Sequence, residues 1–244
     1  MRRTCLCLFL TLCGANTVDA QVEFRVEAET SLAWWQIDPN YGHLWATTCP
    51  ADPSWQAGEG RSGSAPIDVS TRKSTVATAY PDERVPLYPR GAVHPVCRVA
   101  VRGELVTTDS VTFRDLRGMI AISVDSFFNG LEIRDRYARN AVFETRKYPE
   151  VLFHLDSLVS VTPGDTVTGV AAGHFELRGV RQAMRVPVRA WREGGRLRAQ
   201  AQVSIPARAL TKEYGMSRLA LGMGVVMGRW ETVFAGVDVM LRRL

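Results

Sequence analysis

Leu197-Arg198-Ala199-Gln200-Ala201-Gln202-Val203-Ser204-Ile205 carries an apolar residue at every odd position and a polar one at every even position. Side chains alternate across a strand with period two, so this stretch is a β-strand with one apolar and one wet face. Just upstream, Glu193-Gly194-Gly195 is a tight-turn signal, and Ala183 to Trp191 before it carries Met184, Val186 and Val188 on one phase. Further back, Gly179 breaks the pattern, Val167 to Leu177 forms the preceding strand, and Pro163-Gly164-Asp165 is a hairpin turn. Downstream, Val233, Ala235, Val237, Val239 and Leu241 repeat the apolar phase.

The same reading extends to the rest of the chain. Val151, Phe153 and Leu155 alternate with Leu152, His154 and Asp156. Phe113 to Val124 reads as a strand with Ile120, Ile122 and Val124 on one face, and Val99, Val101 and Leu105 begin another. Val22, Phe24 and Val26 alternate with Glu23, Arg25 and Glu27. Residues 126–137 break period and read as loop and short helix. Strands joined by short turns, each with one apolar face, need a closed or double-layered sheet. The expected fold is all-β, an antiparallel barrel of about eight strands, a size that can just hold one small ligand.

Both the N-terminal layout and the cysteines point to export. Met1-Arg2-Arg3, an apolar run from Cys5 to about Cys13 and small or polar residues ending at Ala20 have the layout of a signal peptide cleaved near Ala20. Residues 21–244 then form one domain in a periplasmic or secreted protein. Cys49 and Cys97 remain, a disulfide candidate in an oxidising compartment, with two free thiols as the alternative. Closing that loop would contribute about 4 kcal/mol on chain-entropy grounds. Residues 58–95, rich in Gly, Ser and Pro, read as a long irregular insertion, a solvated loop or a lid.

Removing Arg2, Arg3 and Asp19 turns the formal charge of +5 into +4, with arginines spread along the chain. That spread argues against a nucleic-acid surface and allows at most peripheral contact with anionic headgroups. The four histidines are scattered and the presumed mature chain keeps no Cys-x-x-Cys, so neither metal nor cofactor is expected. No Gly-x-Ser-x-Gly elbow, P-loop or His-Glu-x-x-His occurs, and the expectation is a protein that is not an enzyme.

Four pieces in order resemble one family. They are Phe113-Arg114-Asp115-Leu116-Arg117-Gly118, then Arg134-Asp135-Arg136, then the stretch from Phe143 through Tyr148-Pro149 to Phe153, and finally Gly173-His174-Phe175-Glu176-Leu177-Arg178-Gly179-Val180. Together they resemble the YceI-like family of exported, lipocalin-like, polyisoprenoid-binding proteins. The resemblance covers the middle and C-terminal part of the chain and is weak over residues 21–98. It implies a lipocalin-like barrel that carries or sequesters a long apolar lipid, polyisoprenoid or quinone-like. Candidate lining residues are Phe127, Phe128, Leu131, Phe143, Val151, Phe153, Leu155, Phe175, Leu177 and Met184, each of which plain core packing would also explain. Arg134 and Arg136 could hold a phosphate head, since guanidinium forks suit phosphate oxygens, or form a salt bridge around Asp135 that pins the helix. His154 and His174 fall on the polar phase of their strands and read as outward, solvated residues. The competing expectation is a non-catalytic envelope protein with a solid barrel, whose tryptophan-rich N-terminal part is a partner surface; a homodimer is compatible with either.

Overall fold

The computed structural model describes residues 21–37, 45–48, 100–128, 132–222 and 232–244. The signal segment, Cys49, Cys97, Leu131 and the 58–95 insertion lie outside these residues, as do the side chains of Phe128 and Arg134.

Strands β1 (Val22–Val26), β4 (Val101–Thr107), β5 (Arg117–Ser123), β7 (Glu150–Thr162), β8 (Thr166–Leu177), β9 (Val180–Glu193), β10 (Arg196–Pro206) and β11 (Thr232–Arg243) pair in that order. All of these pairs are antiparallel, and β11 pairs back onto β1. The ring is therefore a closed eight-stranded barrel, which leaves no free edge among these strands. The 197–205 alternation lies in β10, in register with Val233 to Leu241 of β11.

The first strand of the ring is broken in two. Along β11, β1 covers Leu241–Arg243 and a second segment, β2 (Leu32–Ile37), covers Val233–Asp238. A 3-10 turn, Ala28–Thr30, separates them. The break keeps its hydrogen bonds: Glu27 N–H donates to the Met240 carbonyl at 2.8 Å, and Met240 N–H donates to buried Ser31 Oγ at 2.9 Å. Beyond β2 the sheet continues through β3 (Trp45–Thr48) to β6 (Phe127–Phe128).

The two ends of the barrel differ. One, the turn end, carries the 108–116 loop and the turns at 163–165 and 194–195. The other, the helix end, carries α1 (Glu132–Tyr137), a π turn (Ala138–Val142), the turn at 178–179 and α2 (Ala207–Lys212). The sequence expectation of a strand from Phe113 is corrected here. Regular pairing begins at Arg117, and Phe113 adopts a left-handed φ of 56° in a loop that folds inward. Asp109 holds that loop by accepting from the N–H groups of Val111 and Thr112, while its carbonyl accepts from Phe113 N–H. Two main hydrophobic clusters lie among the described residues, with a third, minor one around Ala207. The larger spans the barrel and the turn end; the smaller, with Val124, Ile205, Leu210, Tyr214 and Met216, sits at the helix end.

Candidate functional site

The inward phase of the strands encloses a cavity of about 310 Å³. Small or slender side chains make its middle. Leu158, Ala171 and Val186 face one another across β7, β8 and β9, while Ala199, Ala201 and Ala235 line β10 and β11. Had these positions carried large residues, the barrel would have filled itself at ordinary packing density.

At the turn end the cavity is plugged. Phe113, Leu116, Leu105, Leu197 and Leu241 are buried there and line it, and Phe113 meets Phe24 edge-on at 6.1 Å. Asp115 fastens the plug. Its carboxylate accepts from the Thr107 hydroxyl, from Thr108 N–H and Oγ1 at 2.7 Å each, and from Asp109 N–H at 3.3 Å. These donors, the Thr107 hydroxyl first, hold its pKa well below the usual carboxylate range.

The helix end is built differently. Trp35, Phe127 and Phe143 line it: Trp35 and Phe143 lie 6.3 Å apart, tilted 59°, and Phe127 stacks on Phe143 at 6.4 Å. Tyr137, 48% exposed, brings the lining to the surface. Its hydroxyl donates to the carbonyls of Ala220 at 3.0 Å and Leu219 at 3.3 Å, tying α1 to the segment after α2. Arg178, in the β8–β9 turn, pairs with Glu144 and donates to the Gly215 carbonyl at 3.1 Å. Tyr214 is buried edge-on against Phe175 at 6.0 Å, and burial pushes its phenol up to about 12.

Eight of the ten candidate lining residues meet at this cavity: Phe127, Phe143, Val151, Phe153, Leu155, Phe175, Leu177 and Met184. Leu131 and the Phe128 side chain lie outside the described residues. Of the Arg134-Asp135-Arg136 trio, Asp135 is buried and lines the cavity, whereas Arg136 is exposed and does not. His154 and His174 stand opposite each other on the outer face of β7 and β8. Each faces a carboxylate: Glu176 at 3.4 Å from His154 Nε2, and Asp156 at 3.1 Å from His174 Nδ1. Among the described residues no group of three or more His, Cys, Asp or Glu is arranged to hold a metal ion.

Two expectations about the solid-barrel alternative are corrected. The interior is hollow, and the tryptophans at 34 and 35 do not form an exposed surface. Trp34 is 5% exposed, its indole lying so close over Gly236 that a Cβ there would come within 2.4 Å of the ring. Trp35 takes the opposite phase and packs with the interior. The sequence reading also missed α2 and the segment after it, which supplies Leu210, Met216 and Leu221 to the cavity. On the outer phase of β10 and β11 it missed a buried polar network. Asp238 takes a two-pronged contact from Arg198, at 2.8 and 2.7 Å, and a bond from Gln200 Nε2 at 2.6 Å, while Arg189 donates to Gln200 Oε1.

Three solved structures show similarity to the chain. A polyisoprenoid-binding domain from Saccharophagus degradans is 12% identical, with a TM-score of 0.47 over 89% of this chain and 95% of that one. BcnA of Burkholderia cenocepacia is 16% identical, with a TM-score of 0.41 over 57% and 86% of the two chains. The YceI protein of Campylobacter jejuni is 13% identical, with a TM-score of 0.40 over 51% and 70%. No curated protein matches the sequence. The YceI-like domain matches residues 90–237, more than half of the sequence and nearly all of the barrel from β4 to β11, and the chain belongs to the YceI-like family.

Proposed function

We propose that this protein is an exported carrier that holds one long apolar lipid, of the polyisoprenoid or quinone-like class, inside its barrel and performs no chemistry on it. One observation carries the reading: a cavity of about 310 Å³ runs from an apolar plug at Phe113 to an aromatic mouth at Trp35, Phe143 and Tyr137, and its wall is almost wholly carbon. Cavities of this size and lining suit small apolar ligands. Each 100 Å² of ligand surface taken out of water there would contribute about 2.5 kcal/mol. Family membership and the description of the Saccharophagus domain as polyisoprenoid-binding support the lipid class. The basic, apolar and small-residue layout of residues 1–20 supports export.

The test is native mass spectrometry of protein purified gently from its exporting cells. The expected result is one added mass per chain, removed by organic extraction and identified as a lipid. A bare mass from membrane-containing preparations, together with no uptake of added lipid, would overturn the reading.

A further inference from the structure

The cavity wall holds one donor that the protein leaves unused. Trp35 Nε1 is buried and has no hydrogen-bond partner among the described residues. An indole N–H can only donate, and a buried donor without an acceptor is costly. Gln202, also in the lining, has a buried Oε1 without a partner, but that atom is an acceptor and cannot take the indole proton's place as a donor, and two further polar groups near the wall are engaged. The Tyr137 hydroxyl is committed to two carbonyls, and Gln200 is held by Arg189 and Asp238 on the outer phase of β10. Trp35 stands beside the Phe143 ring, on whose own ring Phe127 stacks, at the end where the cavity reaches the surface.

Resting on the carrier reading, we infer that the ligand is not a plain hydrocarbon: it bears a neutral carbonyl-type acceptor that takes the Trp35 N–H, with its head among Trp35, Phe143 and Phe127 and its tail toward Phe113. A neutral acceptor satisfies the donor without bringing an unpaired charge into a carbon-lined site, which would be strongly disfavoured. The aromatic rings offer a flat surface for the head and the alanine-lined middle of the barrel takes the chain. Orientation follows from the position of Trp35: it stands at the mouth, so the head enters last and leaves first.

The experiment compares heptadecane with 2-heptadecanone, both delivered from the same cyclodextrin, against the wild-type protein and Trp35→Phe. The wild type is expected to bind the ketone about ten-fold more tightly than the alkane, a factor within reach of one buried hydrogen bond. Trp35→Phe should bind both alike, at close to the wild-type affinity for the alkane. In the wild type, ketone and not alkane should shift the indole ¹H–¹⁵N resonance of Trp35, a readout that stands even where the variant is poorly folded. Equal binding of both probes by the wild type, with no shift of that resonance, would overturn this inference and leave the carrier reading standing. Binding of neither probe would overturn both.

Discussion

The two ends of the barrel close the same cavity by different means. At the turn end the chain folds a loop inward and locks it. Phe113 and Leu116 are buried, and one carboxylate, Asp115, gathers donors from Thr107, Thr108 and Asp109. The side-chain hydrogen bonds of this lock are local, spanning two to eight residues, and one backbone bond, from Leu158 N–H to the Arg114 carbonyl at 3.1 Å, ties the loop to β7. At the helix end the closure is made of separate segments, α1, the 178–179 turn and the stretch after α2, held by long-range contacts such as Tyr137 to Ala220 and Arg178 to Gly215 and Glu144. A local lock opens only when its own loop unfolds. A closure made by a few bonds between distant segments can open while the barrel stays intact, and under the proposed carrier function this is the end where ligand would pass.

The largest way to break this contrast is Phe113→Ala. Removing a buried ring from the plug should cost about 3 kcal/mol, seen as a lower denaturant midpoint. A loss under about 1 kcal/mol would mean that the ring is not the plug. Next is Arg178→Ala, which removes the clasp at the helix end. Since the Glu144 side chain is 41% exposed, the expected cost is only about 1–2 kcal/mol, but ligand exchange measured by stopped flow should quicken several-fold. Equal exchange rates in wild type and variant would put the passage elsewhere.

The two ends should also titrate at opposite extremes. Tyr214 has its pKa raised in the folded state, so its contribution is complete below the ordinary value of 10.0 and is lost as pH rises toward about 12. Melting curves of Tyr214→Phe should lack that alkaline loss, about 1–2 kcal/mol after allowing for partial solvation. Asp115 has its pKa lowered, so its contribution is complete above the ordinary 3.8 and is lost as pH falls below that value. Asp115→Asn should flatten this acid limb and cost about 1 kcal/mol at neutral pH, the smallest effect of the set. Identical acid limbs in wild type and variant would remove Asp115 from the lock.

Much of the barrel was legible because β1 and β7 to β11 alternate an apolar inward phase with a mostly polar outward one, and period two shows through. The strand β2 was not. Its stretch Leu32-Ala33-Trp34-Trp35 is apolar throughout, with Ala33 buried inside and Leu32 and Trp34 buried on the outer phase. A strand covered on both faces carries no alternation to read. Phe113 to Leu116 misled for the opposite reason: a loop that folds inward places apolar residues at spacings a strand also allows. The six residues of α2 are too few for a helical period to emerge. Lining residues on alternating strands were legible as a set, but Trp35 gained its meaning only when the fold placed it beside Phe143 and left its N–H without a partner.

The central claim is that the space between the ends is a binding site and not loose packing. The direct measurement is fluorescence titration of N-phenyl-1-naphthylamine, an apolar dye, into the wild type and into Ala171→Phe, which sets a ring between Leu158 and Val186 in the middle of the cavity. The account predicts saturable binding of one dye per chain in the wild type, and loss of that binding in a variant that melts within a few degrees of it. Undiminished binding by a folded Ala171→Phe, or no saturable binding by the wild type, would contradict it.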